Sequence, residues 1–159
     1  MIIEAYDHIP EVKALFSEYT EMLLSIDPSF RIYLDIQHYD KEAENPALKY
    51  ARPEGRLYID IDRNTARGCI ALRSLGEGKG EVKRLYVRPE YRGMGIASAL
   101  LGKILKDALE VGYRELYLDT LPELESAIPL YRKYGFSIAE PYNDSPIGKT
   151  IFMKKVLSC

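Results

Sequence analysis

Residues Glu81 to Val111, with the sequence EVKRLYVRPEYRGMGIASALLGKILKDALEV, decide the fold of this 159-residue chain. The segment begins with an apolar strand at Glu81 to Val87 and turns at Arg88 to Tyr91. The glycine-rich run Arg92 to Ala97 follows, and an amphipathic helix starts at Gly95. Backbone N–H groups and the positive end of a helix dipole meet at such a junction, so it suits a phosphate or pyrophosphate group.

The helix and the strand of this segment differ in the regularity of their patterns. One apolar row of the helix contains Ile96, Leu100, Ile104, Ala108 and Val111. This spacing predicts an amphipathic helix, and Gly112 is a natural left-handed cap for it. In the strand, Val82, Leu85 and Val87 do not follow a period of two. The strand therefore either carries a bulge or is buried on both faces.

The apolar patterns on either side of this segment predict further strands and helices. Before the central segment, we expect a strand in Met1 to Tyr6, a helix from Pro10 to Ile26, and a loop-rich segment with some helix from Ser29 to Arg52. A hairpin of Arg56 to Asp62 with Ala66 to Leu72 and a flexible loop from Gly76 to Gly80 then lead into it. After it, we expect a strand from Glu115 to Thr120, a helix starting near Ser126, and strands at Phe136 to Ala139 and Thr150 to Leu157. Crossover helices combined with an antiparallel hairpin predict a mixed α/β (α+β) sheet with helices on both faces.

Bulk composition excludes several classes of protein. The net charge is −2, with 22 basic and 24 acidic residues, so the strongly basic character typical of nucleic-acid binders is absent. The sequence contains no apolar run long enough for a membrane span and no signal-peptide pattern. Two cysteines, Cys69 and Cys159, and two histidines, His8 and His38, show no metal-ligand or disulfide spacing. We expect one reduced, cytoplasmic, metal-free domain over residues 1–159.

The glycine-rich run alone leaves several interpretations open. It could be a tight turn that lets a helix pack close to a strand. A P-loop would require Lys and Ser or Thr after its second glycine, and these are absent here. A dinucleotide-binding fingerprint would require a third glycine and a position early in the chain, which Gly93 to Ser98 does not offer.

Two motifs together resemble the GNAT N-acetyltransferase superfamily. Arg92 to Ala97 (RGMGIA) is similar to the R/Q-x-x-G-x-G/A signature of that family, and Leu85 to Tyr91 resembles the approach to it. Downstream, Ala127 to Phe136 (AIPLYRKYGF) is similar to the family segment A-I-x-L-Y-x-K-x-G-F. The resemblance covers the second half of the chain. It implies the GNAT fold, a mostly antiparallel sheet of about seven strands, and acetyl transfer from acetyl-CoA to a primary amine in a ternary complex.

The resemblance also implies a set of site residues. The cofactor pyrophosphate would be held by the backbone amides of Arg92, Gly93, Met94, Gly95, Ile96 and Ala97, and the pantetheine arm by the main chain of Leu85, Tyr86 and Val87. Tyr131 matches the tyrosine that protonates the departing CoA sulfur in the family. Glu81 matches a catalytic base, with Asp119 as an alternative. Leu124 stands where many members have an asparagine that contacts the cofactor, so that contact is not expected here.

The acceptor is less defined than the cofactor. An alkyl amine has a pKa near 10 and must lose a proton before it attacks a thioester. We expect the segments 30–55 and 142–148 to shape its pocket, with Tyr33, Tyr39, Tyr50 and Tyr142 as candidate lining residues. The mild negative net charge favours a cationic acceptor. A homodimer is expected by analogy with the family. A non-catalytic acyl-CoA-binding regulatory module and a nucleotide-binding domain are the alternative functions.

Overall fold

The computed structural model of the protein describes residues 1–36 and 38–157. The strands are β1 (Ile2–Glu4), β2 (Arg56–Asp62), β3 (Thr65–Gly76), β4 (Lys79–Val87), β5 (Glu115–Thr120), β6 (Ser137–Ile138) and β7 (Ile151–Val156). The helices are α1 (Ile9–Ile26), α2 (Phe30–Ile36), α3 (Tyr39–Glu44), α4 (Pro46–Lys49), α5 (Ile96–Val111) and α6 (Ala127–Lys133), and Pro89–Tyr91 forms a 3-10 turn.

The described strands form one seven-stranded sheet in the order β1-β2-β3-β4-β5-β7-β6. All neighbouring strands are antiparallel except β4 and β5, which are parallel. α1 packs on one face of the sheet, and α5 and α6 pack on the other. The predicted fold class, a mixed and mostly antiparallel sheet with helices on both faces, is confirmed.

Both long helices form where the apolar spacing predicts them. α1 begins with Pro10 in its first turn, a position where the missing N–H has no cost, and buries Val12, Leu15 and Phe16. α5 runs between two glycines in the left-handed region, Gly95 at φ 80° and Gly112 at φ 101°. Its row of apolar residues packs into the larger core cluster of the protein.

The segment between α1 and β2 contains more helix than the sequence predicted. The sequence predicted a loop-rich segment with some helix from Ser29 to Arg52, and the stretch from Phe30 to Ile36 within it is the helix α2. Phe30, Tyr33 and Leu34 are buried at helical spacing, whereas Ile32 and Ile36 are 57% and 50% exposed. Packing of the aromatic side chains against α1 therefore favours the helix in this stretch.

The predicted flexible loop from Gly76 to Gly80 is a tight hairpin instead. β3 extends to Gly76 and β4 already begins at Lys79. Gly76 and Gly78 adopt left-handed φ values of 86° and 77°, which glycine reaches without steric cost. The two strands therefore pair almost to the tip of the turn.

Strand β4 carries the bulge that its irregular pattern allowed. Tyr86 lies opposite Cys69 and Lys83 lies opposite Ala71, so β4 uses one more residue than β3 between these pairs. Arg84 within the bulge has a left-handed φ of 58°, which is uncommon for a residue with a side chain. Most of β4 is also buried, so the two interpretations left open by the sequence hold together.

Candidate active site

The parallel strands β4 and β5 part within the sheet. Their pairing ends at Glu81 opposite Tyr117, although β4 continues to Val87 and β5 to Thr120. A small cavity of about 30 Å³ lies at the start of this opening and is lined in part by Lys83, Asp119 and Tyr131. The β5-facing edge of the rest of β4 has no strand partner among the described residues.

The glycine-rich turn lies between the end of β4 and the start of α5. Gly93 and Gly95 have φ values of 78° and 80°, and a Cβ on either would meet no atom within 4 Å, so the turn faces open space. Within residues 1–36 and 38–157, no protein group accepts a hydrogen bond from the amides of Gly93 to Ser98, and Gly95 provides no side-chain cap. These unsatisfied donors fit an anionic group such as a pyrophosphate.

Arginines reinforce this end of the opening. Arg92 Nε donates to the carbonyl of Val87 at 3.0 Å, which places the Arg92 guanidinium beside the end of β4. Arg88 binds the Glu18 carboxylate through Nε and Nη2, and that hydrogen bond raises the pKa of the Arg88 guanidinium. Glu18 neutralises Arg88, so Arg92 is the residue of the two that contributes positive charge beside the turn, as suits a phosphate ligand.

Tyr131 lies on α6 at the opening between β4 and β5. Its side chain is buried, and its ring packs at 5.9 Å, edge to face, on Phe136. Burial, followed by the nearby Tyr19 and Asp119, raises the pKa of the Tyr131 phenol, because the phenolate is poorly solvated there. Tyr131 thus stays protonated at neutral pH and lines a cavity into which it could donate its proton.

Glu81 lies at the last β4–β5 pair and is only 2% exposed. Arg73 Nε donates to its Oε1 at 2.7 Å, and the Tyr142 hydroxyl donates to its Oε2 at 2.6 Å. Burial alone would raise the pKa of Glu81, but the charges of Lys83 and Arg73 and the hydrogen bond from Tyr142 lower it below the usual value. Glu81 is therefore anionic with both carboxylate oxygens engaged.

Asp119 stands on β5 across the opening from β4. It accepts hydrogen bonds from the Tyr33 hydroxyl and from Asn143 Nδ2, the latter at 2.8 Å, and Asn143 also donates to Tyr33 at 3.0 Å. Unlike Glu81, Asp119 lines the cavity together with Tyr131. The structure therefore brings the alternative carboxylate, rather than Glu81, to the same cavity as Tyr131.

The bulge of β4 is tied to helix α3 by a buried ion pair that the sequence did not reveal. Arg84 Nε and Nη2 bind Glu42 Oε2 and Oε1 at 2.6 and 2.9 Å, and Lys49 Nζ binds Oε1 at 2.7 Å. Burial opposes the charge on Glu42, but Arg84 and Lys49 outweigh it and lower the Glu42 pKa to about 2. Lys83, next to Arg84, is buried and has a pKa lowered to about 8 by burial and by the Arg84 charge.

The tyrosines suggested for the acceptor pocket have different surroundings. Tyr33 lines a second small cavity beside Asp119, and Leu124 lines it too. Tyr39 donates to the Phe16 carbonyl at 3.2 Å, and Tyr50 is wholly buried in the core. Tyr142 contacts Glu81 as described above.

The implied pantetheine residues lie along the bulged end of β4. Leu85 lines the cavity beside Tyr131. The Tyr86 ring packs at 5.7 Å on Tyr19 of α1, and Val87 joins the core cluster on the α5 side. Their side chains thus anchor the strand to both layers, while the β5-facing edge of the main chain stays open.

Among residues 1–36 and 38–157, no group of three or more His, Cys, Asp or Glu side chains could hold a metal ion. No helix in this part of the chain is both long and apolar enough to span a membrane. Cys69 is buried, and Cys159 lies outside the described residues.

Comparison with known proteins agrees with the geometry. The family model described as acetyltransferase (GNAT) family matches residues 14–136. An uncharacterised N-acetyltransferase of Schizosaccharomyces pombe is 36% identical over 152 residues, covering 94% of this chain and 89% of that protein.

Solved structures show the same fold over the length of the chain. A GNAT-family acetyltransferase from Staphylococcus aureus has a TM-score of 0.77 at 25% identity, covering 99% of both chains. An N-acetyltransferase of Thermoplasma acidophilum in complex with coenzyme A has a TM-score of 0.77 at 19% identity, covering 99% of this chain and 98% of that one. The sequence-based predictions of family and enzyme class are confirmed: the chain belongs to the acetyltransferase (GNAT) family.

Proposed function

We propose that this protein transfers the acetyl group of acetyl-CoA to a primary amine by direct attack in a ternary complex, with residues 1–159 acting as one domain. The observation that carries the proposal is the parting of β4 from β5, with unsatisfied amides at the mouth of the opening and Tyr131 within it. An enzyme of this type needs an anion site, an extended track and an acid in that order. The opening supplies candidates for all three.

The cofactor would be held largely by main chain. The amides of Gly93, Met94, Gly95, Ile96 and Ala97 are the proposed pyrophosphate ligands. The Arg92 amide, also expected from the sequence, donates to the Pro89 carbonyl at 3.3 Å and would have to exchange that bond to join them. The open edge of Leu85, Tyr86 and Val87 is the proposed partner of the pantetheine amides. An extended chain with amide groups can pair with an open strand edge as another strand would. The T. acidophilum neighbour binds coenzyme A on the same fold, which supports this assignment.

Tyr131 is the proposed general acid. Acetyl-CoA supplies an activated thioester, and the sulfur that leaves it must be protonated or stabilised. A tyrosine is protonated at neutral pH even without a pKa shift, and burial keeps Tyr131 in that form, so its hydroxyl can donate a hydrogen bond or its proton to the leaving sulfur. Its place beside Leu85, on the proposed pantetheine track, supports this role.

A carboxylate is the proposed base that receives the amine proton, directly or through water. Glu81 is the candidate from the sequence, and Asp119 is the alternative. Glu81 would have to exchange its hydrogen bonds from Arg73 or Tyr142 to accept a proton. Asp119 already lines the cavity with Tyr131, and this favours it of the two.

The test is the release of free thiol from acetyl-CoA in the presence of a panel of primary amines. We expect amine-dependent release, and we expect Tyr131→Phe to lower kcat by about 10²-fold or more, with little change in CoA affinity measured by calorimetry. Phenylalanine preserves the ring contact with Phe136, so a loss of turnover would reflect the hydroxyl group.

Two outcomes would contradict the proposal. Tight CoA binding with no amine-dependent thiol release would indicate a non-catalytic acyl-CoA-binding module. Thermal stabilisation by ATP or NAD but not by CoA would indicate a nucleotide-binding domain. A cytoplasmic location and a homodimer stay predictions from the sequence.

A further inference from the structure

We propose that the acceptor is a small amino acid-like molecule, whose carboxylate binds in a cationic cavity between α3, α4 and β4 while its amine faces the Asp119 side of β4. This inference rests on the proposed function and specifies its substrate class. It differs from the cationic acceptor that the net charge of the whole chain favours. The charges that matter are those of the cavity, not the sum over the surface.

The cavity lies on the α1 side of β4 and has a volume of about 420 Å³. Its charged or titratable lining residues are His38, Lys41, Glu42, Lys49, Arg73 and Lys83. Glu42 is the one carboxylate among the described lining residues, whereas four side chains are lysine or arginine. A cavity of this kind concentrates anions and disfavours a polycation.

The carboxylates nearby do not cancel this positive charge. Glu42 is already bound by Arg84 and Lys49, and Glu81 is bound by Arg73. Lys83 Nζ lies 3.9 Å from the same Glu81 oxygen that Arg73 contacts. Counted with Asp119, which also acts on Lys83, three carboxylates face five cations: Lys41, Lys49, Arg73, Lys83 and Arg84. Among these described groups, cations therefore outnumber carboxylates by two, and the surroundings of the cavity are net positive.

Lys83 connects the cationic cavity to the reaction centre. It lines this cavity and also both small cavities beside Asp119, one of which includes Tyr131. A ligand whose carboxylate contacts Lys83 would thus have a neighbouring amine near Asp119. α-Amino acids carry these two groups on the same carbon atom, which suits such a junction.

Part of the exposed lining of the cavity is apolar. Ile36 and Leu48 line it and are 50% and 75% exposed, so they offer an uncovered apolar surface. Burial of an aliphatic ligand side chain there would be favourable, at about 25 cal/mol per Å² of apolar area. We therefore expect an aliphatic amino acid to be a better acceptor than a polar one.

The pKa of Lys83 is sensitive to the charges in this cavity. Burial and the neighbouring Arg84 lower the Lys83 pKa to about 8, because a second positive charge is unfavourable there. A bound carboxylate would raise that pKa again. Binding near pH 8 should therefore be accompanied by proton uptake.

The first experiment compares acceptors of matched shape by thiol release from acetyl-CoA: leucine, leucinamide, 3-methylbutylamine and spermidine. We expect kcat/KM for leucine to exceed that for the other three by about tenfold or more, as one charge-assisted contact allows. The amide lowers the amine pKa of leucinamide and makes it intrinsically more reactive, so this comparison is biased against the expected result. Equal rates, or a preference for spermidine, would overturn the inference.

The second experiment uses a matched pair of charge reversals. Lys41→Glu in the cavity should raise KM for leucine by about tenfold and leave KM for 3-methylbutylamine unchanged. Lys106 is an exposed residue on α5, on the other face of the sheet. Lys106→Glu makes the same change in net charge and should leave KM for both leucine and 3-methylbutylamine unchanged. A similar effect of both reversals would mean that only the overall charge matters, and the cavity assignment would fail.

A third measurement does not depend on turnover. Calorimetry at pH 8 in two buffers of different ionisation enthalpy should show N-acetylleucine binding with proton uptake, and N-acetylleucinamide binding more weakly. If no amine is acetylated but N-acetylleucine still binds selectively, the enzyme proposal fails and the carboxylate site stands. If amines are acetylated but the two ligands bind alike, the carboxylate site fails alone.

Discussion

Arg84 shows how a single residue shapes this site. Its left-handed backbone costs about 1–2 kcal/mol for a residue with a Cβ. The cost is offset by a bidentate ion pair with Glu42 and by the packing of its guanidinium 5.3 Å from the centre of the Tyr39 ring. The bulge that diverts β4 from β5 is therefore fixed by a side chain from α3.

The two candidate bases can be separated by isosteric amides. We expect Asp119→Asn to lower kcat by about 10²-fold or more, and Glu81→Gln to lower it less, since Asp119 lines the cavity with Tyr131. Steady-state kinetics at saturating substrates would measure both, with circular dichroism to check the fold. The reverse ranking would assign the base to Glu81, and losses below threefold in both variants would exclude a carboxylate base.

Helix α3 and strand β4 depend on each other through Glu42. Replacing Glu42 by glutamine would leave the buried Arg84 without its counter-charge, although the side-chain shape is retained. We expect Glu42→Gln to lower the free energy of unfolding by about 3–5 kcal/mol, measured by urea denaturation.

A neighbouring residue provides the control for this prediction. Asp40→Asn lies on the same helix but is exposed, and it should change the free energy of unfolding by less than about 0.5 kcal/mol. If the two variants are equally stable, the Glu42–Arg84 pair does not hold α3 to β4.

Elements with strong local signals could be predicted from the sequence, whereas those that depend on packing could not. β2 has the predicted bounds Arg56–Asp62, because its strict alternation leaves one choice. α2 is short enough to fit both an alternating and a helical pattern, and only the burial of Tyr33 and Leu34 decides between them.

The same distinction applies to the site. The glycine turn and the segment that contains Tyr131 are local patterns. The Glu42–Arg84 pair joins residues 42 positions apart, and the contact of Asn143 with Asp119 spans 24, so no local pattern encodes either of them. An arginine and a glutamate at such a distance in sequence give no signal until the fold brings them together.

At the scale of the whole molecule, the ion pair predicts an acid-sensitive fold. The pKa of Glu42 is depressed from 4.5 to about 2 in the folded state, so its contribution is fully present above pH 4.5 and is lost as the pH falls towards 2. That contribution is of order 3 kcal/mol. Urea unfolding at a series of pH values should show this decline.

The Glu42→Gln variant separates this group from the other carboxylates. Glu81 and Asp107 also have lowered pKa values, so the variant should still lose stability in acid. Its free energy of unfolding should fall less steeply with decreasing pH below 4.5 than that of the unmodified protein. If the free energy of unfolding depends on pH in the same way in both proteins, protonation of Glu42 does not contribute to the loss of stability in acid.

The position of the open edge of β4 also limits self-association. Unpaired edges of long strands promote aggregation, because a strand from another molecule can add to them. Here the edge lies inside the sheet, with β5 diverging from Tyr117 onward on its other side. The opening between β4 and β5 is bounded by two strands of the same sheet, so it admits a narrow linear ligand and excludes a strand of another folded molecule. The fold can thus keep a reactive edge available for binding without exposing it to other copies of the chain.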